Sequence, residues 1–376
     1  MFIILNGLSM GTGGGLTVGR ELAVHLALAR PQWTVGLLVI DGFALHAELK
    51  GVEMPSNMRL IWAPSETRGI KPRARYERTE LVKMVRDDRV DAVVQLNGMV
   101  VPGMPVPTVC HYQDPWPYRR EAWTRLRDRF IAALKRRAIR RSLRSCEVAT
   151  FTSSYLRGLV SDRSGVEPRK AAVVYNGVPD DWLDRENASI RPLPSRPLTI
   201  VTVSNVAYYK RQWLVVEAMG LLHQRGELGE VTYRIGGSCS ADVRADLEAR
   251  ARRHGIEDHV VVEGRVSDER VQEMLADARA YVLMSVCESF GIPAIEAMTF
   301  GTPVVLADCC AIPEVCGKAG WLVPVDDVEA LADTLNTVIK DVESAGDAAN
   351  AGRERAKAFR WSASGEQLAE LLEAFD

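Results

Sequence analysis

A chain of 376 residues is longer than one hydrophobic core usually serves, since cores stop growing near about 250 to 300 residues, so two domains are expected. Forty-seven basic against 49 acidic residues leave a formal net charge of −2, with 47% hydrophobic and 26% charged residues. That balance excludes a disordered or collagen-like chain and gives no general basic surface for nucleic acid.

The opening residues MFIILNGLSM lack a basic leader and read as a first buried strand rather than a signal peptide. No apolar run approaches the roughly 18 residues of a membrane span. Cysteines at 110, 146, 239, 287, 309, 310 and 316 form no Cys-x-x-Cys pair, so a reducing cytosol is expected and no zinc site.

In chain order, FIIL leads through a glycine run, Gly11 to Gly15, into a helix over 16–29; then come the strands WTVGLLVI and MRLIWA, a helix over 72–87 and the strand VDAVVQL. The run PVPTVC ends at His111 and is followed by YQDPWP. A basic helical stretch follows, then EVATFTS and KAAVVYN. Short apolar runs alternating with amphipathic stretches imply βαβ units and a parallel sheet.

At ENASIRPLPSRP the texture changes, with three prolines in a polar segment, so a boundary is expected at 190/191. The second domain, 191–360, repeats the alternation with LTIVTVSN, VTYRIGG, HVVVEGR, AYVLMS, TPVVLAD and GWLVP. The closing stretch 361–376 reads as an amphipathic helix free to pack on either domain, including back on 1–190. The fold class is therefore α/β, two doubly wound Rossmann-like domains. Ligands of such sheets bind outside the carboxyl ends of the strands, so one site in a shared central cleft is expected.

Chemistry-bearing residues follow those strand ends. After AYVLMS stand Glu288, Phe290, Gly291, Ile292, Pro293 and Glu296. Glycine then proline mark a turn into a helix, whose open N–H groups suit a phosphate. Glu296 is expected in that helix's first turn and Glu288 on the loop before it, both able to accept from sugar or ribose hydroxyls. As a lone first-turn acid, Glu296 would only complement the helix dipole. After LTIVTVSN come Asn205, Lys210 and Arg211, where lysine can offset pyrophosphate charge. An isolated basic pair is more often a solvated surface feature.

The assembly ESFGIPAIEAM followed by GTPVVLADCCAIPEVCGKAGWLVP resembles the donor site of the GT-B glycosyltransferases of family 4, group 1. The resemblance runs through nearly the whole second half, with EGRVSDERVQEML upstream, and more loosely through the first half. It implies that Glu296 binds ribose hydroxyls, that Glu288 holds the donor sugar ring, and that Phe290, Gly291 and Ile292 lend backbone amides. It puts Arg265 and Val266 at the base, Gly14 and Gly15 on a loop approaching the donor phosphates, and His111 near the reactive carbon of the sugar. Asp114 is a weaker acceptor-side candidate. A basic pair, arginine then lysine five residues on, usually stabilises the leaving diphosphate; here Asn205 occupies the arginine position, Lys210 is retained, and Arg211 is the candidate for the second charge. The turn Asn176-Gly177-Val178 reads as structural.

What the resemblance implies is retention of the anomeric configuration by a front-face transfer from a nucleoside diphosphate sugar to a glycan, lipid-linked or small-molecule hydroxyl acceptor. No cofactor is expected. With no Asp-x-Asp sequence, lysine and helix dipole stand in for a metal cation. Competing readings are a nucleotide-sugar epimerase, which would need an acid at the anomeric carbon, a catalytically idle nucleotide-sugar sensor or partner subunit, suggested by Asn205, and a dehydrogenase, for which neither glycine loop spells the fingerprint.

Between Arg119 and Arg144, eleven basic residues face two acids, a net of +9. Trp123, Leu126, Phe130, Leu134 and Ala138 recur at helical spacing. Two readings stand: a stripe packed on the first domain's core, or attachment to the anionic inner face of a membrane, each basic residue contributing on the order of 1 kcal/mol. Localisation is accordingly read as cytoplasmic, with peripheral attachment under the second reading. Nucleic acid is disfavoured because no aromatic platform accompanies the charge. Acceptor choice is assigned to the loops at residues 42–75 and 98–120.

Overall fold

In the computed structural model, residues 1–10, 14–42, 49, 53–184 and 190–376 are described. Gly11, Thr12 and Gly13 of the glycine run, residues 43–48 and 50–52 of the 42–75 segment, and residues 185–189 at the start of the proline-rich stretch lie outside them.

Runs of aliphatic and β-branched residues form the strands, and the inner ones are buried along almost their whole length, as parallel sheets covered on both faces require. One compact unit comprises Met1–Tyr118, Arg127–Gly177 and Arg360–Asp376. Its elements are β1 (Phe2–Asn6), α1 (Gly14–Ala29), β2 (Thr34–Ile40), β3 (Met58–Ala63), α2 (Ile70–Tyr76), α3 (Val82–Asp87), β4 (Ala92–Gln95), β5 (Thr108–Tyr112), α4 (Leu126–Ser145), β6 (Val148–Phe151), α5 (Ser154–Ser164) and β7 (Ala171–Val173). The strands form one parallel sheet in the order β3-β2-β1-β4-β5-β6-β7, so the winding reverses between β1 and β4.

The other unit comprises Arg119–Leu126 and Val178–Phe359. It holds α6 (Asp180–Leu183), β8 (Thr199–Val203), α7 (Gln212–Gln224), β9 (Thr232–Gly236), α8 (Ala241–His254), β10 (Val260–Gly264), α9 (Asp268–Asp277), β11 (Ala280–Leu283), α10 (Ile292–Thr299), β12 (Val304–Ala307), α11 (Ile312–Cys316), β13 (Trp321–Val323), α12 (Val328–Lys340) and α13 (Val342–Ala356). Its parallel sheet runs β10-β9-β8-β11-β12-β13, reversing between β8 and β11. Each unit thus repeats the doubly wound plan expected from the alternation.

The chain passes between units at Gly177/Val178 rather than at 190/191. The proline-rich stretch is part of the second unit: Leu193 is buried, and Arg196, 3% exposed, donates to the carbonyls of Ala278 and Phe300 and to the Thr302 hydroxyl. The helix expected over 72–87 is interrupted by a π turn, Glu77–Leu81, between α2 and α3. A 3.6-residue pattern conceals such an insertion.

The final helix, α14 (Trp361–Leu372), packs on α1 in the first unit. Gly365 lies against the backbone of His25 so closely that a Cβ would come within 2.5 Å of its carbonyl. Arg30 clasps the far end through Glu366 at 2.8 Å and Glu373 at 2.7 Å. Trp361 is 1% exposed, and the Ser364 hydroxyl donates to the Tyr175 carbonyl at 2.6 Å.

In α4 the buried residues are Ala132, Ile139, Ser142 and Leu143. Leu126 is 98%, Phe130 67% and Leu134 53% exposed. The stripe noted in the sequence is therefore not the face that packs on the first unit's core.

Candidate functional site

In the second unit, two strand-end turns meet. After β8 the chain makes a 3-10 turn, Tyr208–Lys210, and enters α7 through Arg211, held in the left-handed region at φ 55. After β11 the turn Met284–Ser289 leads to Gly291, φ 99, the cap of α10. A side chain at 291 would meet Ile312 Cδ1 at 2.7 Å, so both conformation and space demand glycine.

Lys210 Nζ lies 2.5 Å from Glu288 Oε1, with the two side chains only 14% and 11% exposed. The Val286 N–H donates to the Tyr209 carbonyl at 2.9 Å, tying the two turns together beside that pair. Burial opposes the ammonium, but Glu288 outweighs it with help from Tyr209, and the Lys210 pKa stands above its ordinary value. The lysine ammonium is thus held nearly out of water against the Glu288 side chain. A phosphate arriving there would meet the lysine charge and the open amides of α10.

Glu296 is the fifth residue of α10, in its second turn rather than its first, because the helix starts directly after Gly291. It is half-buried. Phe290 is 1% exposed and packs edge-on against Phe359 at 5.3 Å, so it can offer a ligand its backbone only. Ile292 is likewise buried.

Asn205 sits in a loop braced by Gln212, which is 2% exposed and donates through Nε2 to the Asn205 carbonyl at 3.1 Å and to Ser204 Oγ at 3.2 Å. Arg211 forms an ion pair with Asp326 and lies over the Trp213 ring, so its charge is already engaged. Arg265 is exposed just past β10, and Val266 beside it packs near Gly236.

Two groups escaped the sequence reading. Tyr281, fully buried on β11, has a hydroxyl with no hydrogen-bond partner among the described residues. Burial first, then the charges of Glu288 and Glu296, push its pKa well up, so a neutral phenol stands near both carboxylates. In sequence it looks like any strand aromatic. Gly237, φ 148, is the second: a Cβ there would fall 1.8 Å from the Ser204 carbonyl, so this glycine lets the loop holding Asn205 approach the end of β9. The Gly-Gly pair ending VTYRIGG was the available signal.

In the first unit, Gly14 and Gly15 open α1. His111 on β5 is 1% exposed; its Nδ1 lies 3.0 Å from Thr150 Oγ1 and its Nε2 is buried without a partner among the described residues. Burial lowers its pKa to about 4, so the imidazole is neutral near pH 7. Asp114 is exposed and structurally occupied: Oδ1 accepts the Trp116 N–H at 2.9 Å and Oδ2 lies 3.1 Å from Lys135. Among the described residues no group of three or more His, Cys, Asp or Glu is placed to hold a metal ion, and no helix is long and apolar enough to cross a membrane.

Two doubly wound units with a lysine–carboxylate pair at a helix start define the GT-B class of fold. Residues 13–182 match the family described as Glycosyltransferase Family 4 and residues 184–355 the one described as Glycosyl transferases group 1; the chain belongs to this glycosyltransferase family. It is 32% identical over 219 residues to WcaL of Salmonella typhimurium, named as a colanic acid biosynthesis glycosyltransferase, an alignment covering 56% of this chain and 52% of that protein. The chain thus spans about half the length of the curated relatives it matches first.

Among solved structures, a glycosyltransferase from Rickettsia africae ESF-5 superposes with a TM-score of 0.76 at 15% identity, over 100% of this chain and 98% of that one. Anabaena Alr3699/HepE in complex with UDP-glucose gives 0.76 at 18% identity over 100% of both. At such identities these likenesses concern the fold.

Proposed function

We propose that the protein is a retaining glycosyltransferase that moves a sugar from a nucleoside diphosphate sugar to a hydroxyl of a glycan, lipid-linked or small-molecule acceptor, in the synthesis of a cell-surface polysaccharide or glycolipid. The observation that carries this reading is the desolvated Lys210–Glu288 pair beside the start of α10 (Ile292–Thr299). The binding of UDP-glucose by the similarly folded HepE and the colanic acid role named for WcaL agree with it.

Glu296 takes the ribose hydroxyls and Glu288 the sugar ring, each as an acceptor. Lys210 and the amides of Gly291 and Ile292 offset the charge that grows on the leaving diphosphate, worth several kcal/mol in a site poor in water. Neutral His111 offers its unpaired Nε2 to the donor sugar. The bond from the anomeric carbon to the phosphate oxygen breaks, the bond to the acceptor oxygen forms on the same face, and the hydroxyl proton passes to the leaving phosphate. Lysine and dipole meet the demand for positive charge, so no divalent cation is needed. The exposed Leu126, Phe130 and Leu134, set among arginines, rest on an anionic membrane face where a lipid-linked acceptor would be presented.

The test is thermal shift and turnover against UDP-, GDP-, dTDP- and ADP-sugars with chelator present, repeated on Lys210→Ala and Glu296→Ala. Stabilisation by one nucleotide with slow donor hydrolysis, lost in both variants, is expected. No response to any nucleotide would sink the donor site, and stabilisation without turnover on any acceptor would make the protein a sensor or partner subunit.

A further inference from the structure

The sequence groups Arg119 with the basic stretch that runs to Arg144, yet the chain from Arg119 to Leu126 belongs to the second unit while the helix after it belongs to the first. Arg119 reaches across 167 positions of sequence to donate from Nε to the Val286 carbonyl at 3.0 Å. That carbonyl also accepts from the Cys310 thiol at 3.2 Å, and the neighbouring Ser285 carbonyl from the Cys309 thiol at 3.2 Å. The Arg119 side chain is 21% exposed and lies 3.5 Å from the carboxylate of Glu121, itself half exposed.

Val286 is the residue through which the two donor-side turns are joined. Its N–H holds the Tyr209 carbonyl at 2.9 Å, one residue before Lys210, and two residues after it stands Glu288, the partner of Lys210. A guanidinium bonded to the Val286 carbonyl therefore fixes the same peptide that sets the spacing of the lysine and the glutamate. Of the bonds to that carbonyl, the one from a cation is the stronger, because a charged donor bonds a carbonyl about twice as well as a neutral one. Its field also reaches the turn, since both Arg119 and Glu288 act on the Cys309 thiol.

We infer that Arg119 is a positioning residue of the donor site: it pins the Val286 peptide and so holds Lys210 and Glu288 in register for the diphosphate. The inference rests on the donor-site reading above. Lysine is a poor substitute, because a flexible ammonium cannot reproduce the fixed direction of the guanidinium N–H.

The test uses the whole chain as wild type, Arg119→Lys and Arg119→Ala, with UDP, GDP, dTDP and ADP binding by calorimetry and hydrolysis of the donor sugar by kinetics. Arg119→Ala should lower kcat for donor hydrolysis on the order of tenfold, as misplacement of a reacting group does, with KM little changed and the melting temperature kept. Arg119→Lys should recover only a small part. Added guanidinium at tens of millimolar should restore rate to Arg119→Ala, and sodium chloride at the same ionic strength should not. An unchanged kcat in Arg119→Ala, or a loss matched by a fall in melting temperature and not rescued by guanidinium, overturns the inference. A wild type that binds none of UDP, GDP, dTDP and ADP instead overturns the donor reading on which it stands.

Discussion

His111 and Thr150 are register partners on the adjacent strands β5 (Thr108–Tyr112) and β6 (Val148–Phe151), and the imidazole Nδ1 rests 3.0 Å from the hydroxyl. Because burial holds the folded pKa at about 4, below the ordinary 6.5, the unfolded chain binds the extra proton first as pH falls. The stability that follows is complete above pH 6.5 and is lost between 6.5 and 4. A shift of that size corresponds to roughly 3 kcal/mol at most. Urea titrations from pH 7.5 to 4.5 should show this slope in wild type and a flatter one in His111→Leu; equal slopes would mean that another group titrates there.

The Lys210–Glu288 pair should matter asymmetrically. Lys210→Met leaves a nearly buried carboxylate without its cation and should destabilise by about 3 kcal/mol, whereas removing both charges in Lys210→Met with Glu288→Leu should recover much of that. Nucleotide binding should fail in both. The folded Lys210 pKa is raised, so its contribution to stability is present below the unfolded value and fades as pH climbs past the folded one. A double-mutant cycle on urea midpoints measures the coupling, and additive effects would contradict it.

Gly237→Ala and Gly226→Ala form a controlled comparison. Both glycines have positive φ, but a Cβ at 226 meets nothing within 4 Å while one at 237 strikes the Ser204 carbonyl. The first change should cost about 1 kcal/mol, the price of the conformation alone. The second should cost roughly 3 kcal/mol or more and weaken nucleotide binding by displacing the Asn205 loop. Chemical denaturation with parallel calorimetry reads both, and equal costs would remove the steric argument.

The face of α4 carrying Leu126, Phe130 and Leu134 should be separable from its buried face. Replacing the three with serine should leave the melting temperature unchanged and abolish cosedimentation with vesicles rich in anionic phospholipid, while Ile139→Ser should unfold the unit first. Binding that survives the triple change, or that is absent from wild type, would return the exposed residues to ordinary surface.

The alternation of apolar runs and amphipathic stretches made both sheets legible, because parallel strands covered on two faces leave unmistakable aliphatic runs. Glu288 and Lys210 were legible for a related reason: each follows a strand end, and they meet. Other features depend on through-space approach. Arg119 reads as one basic residue among eleven until the fold carries it to Val286. The π turn at Glu77–Leu81 preserves enough helical spacing to pass unnoticed, and Glu296 slid from the first turn to the second because the helix begins one residue after Gly291. The proline-rich stretch resembled a linker, yet Arg196 anchors it within the second unit through backbone carbonyls that no sequence pattern announces.

The docking of α14 (Trp361–Leu372) on α1 (Gly14–Ala29) has a consequence for how the chain is made. The first helix emerges from the ribosome early, but the surface that covers its His25 side emerges only after the whole of the second unit. At ordinary rates of synthesis that interval is on the order of tens of seconds. During it the first unit is a nascent domain lacking one wall, with the close-fitting strip opposite Gly365 open to chaperones. The amino-terminal unit is thus the first to be translated and the last to be finished.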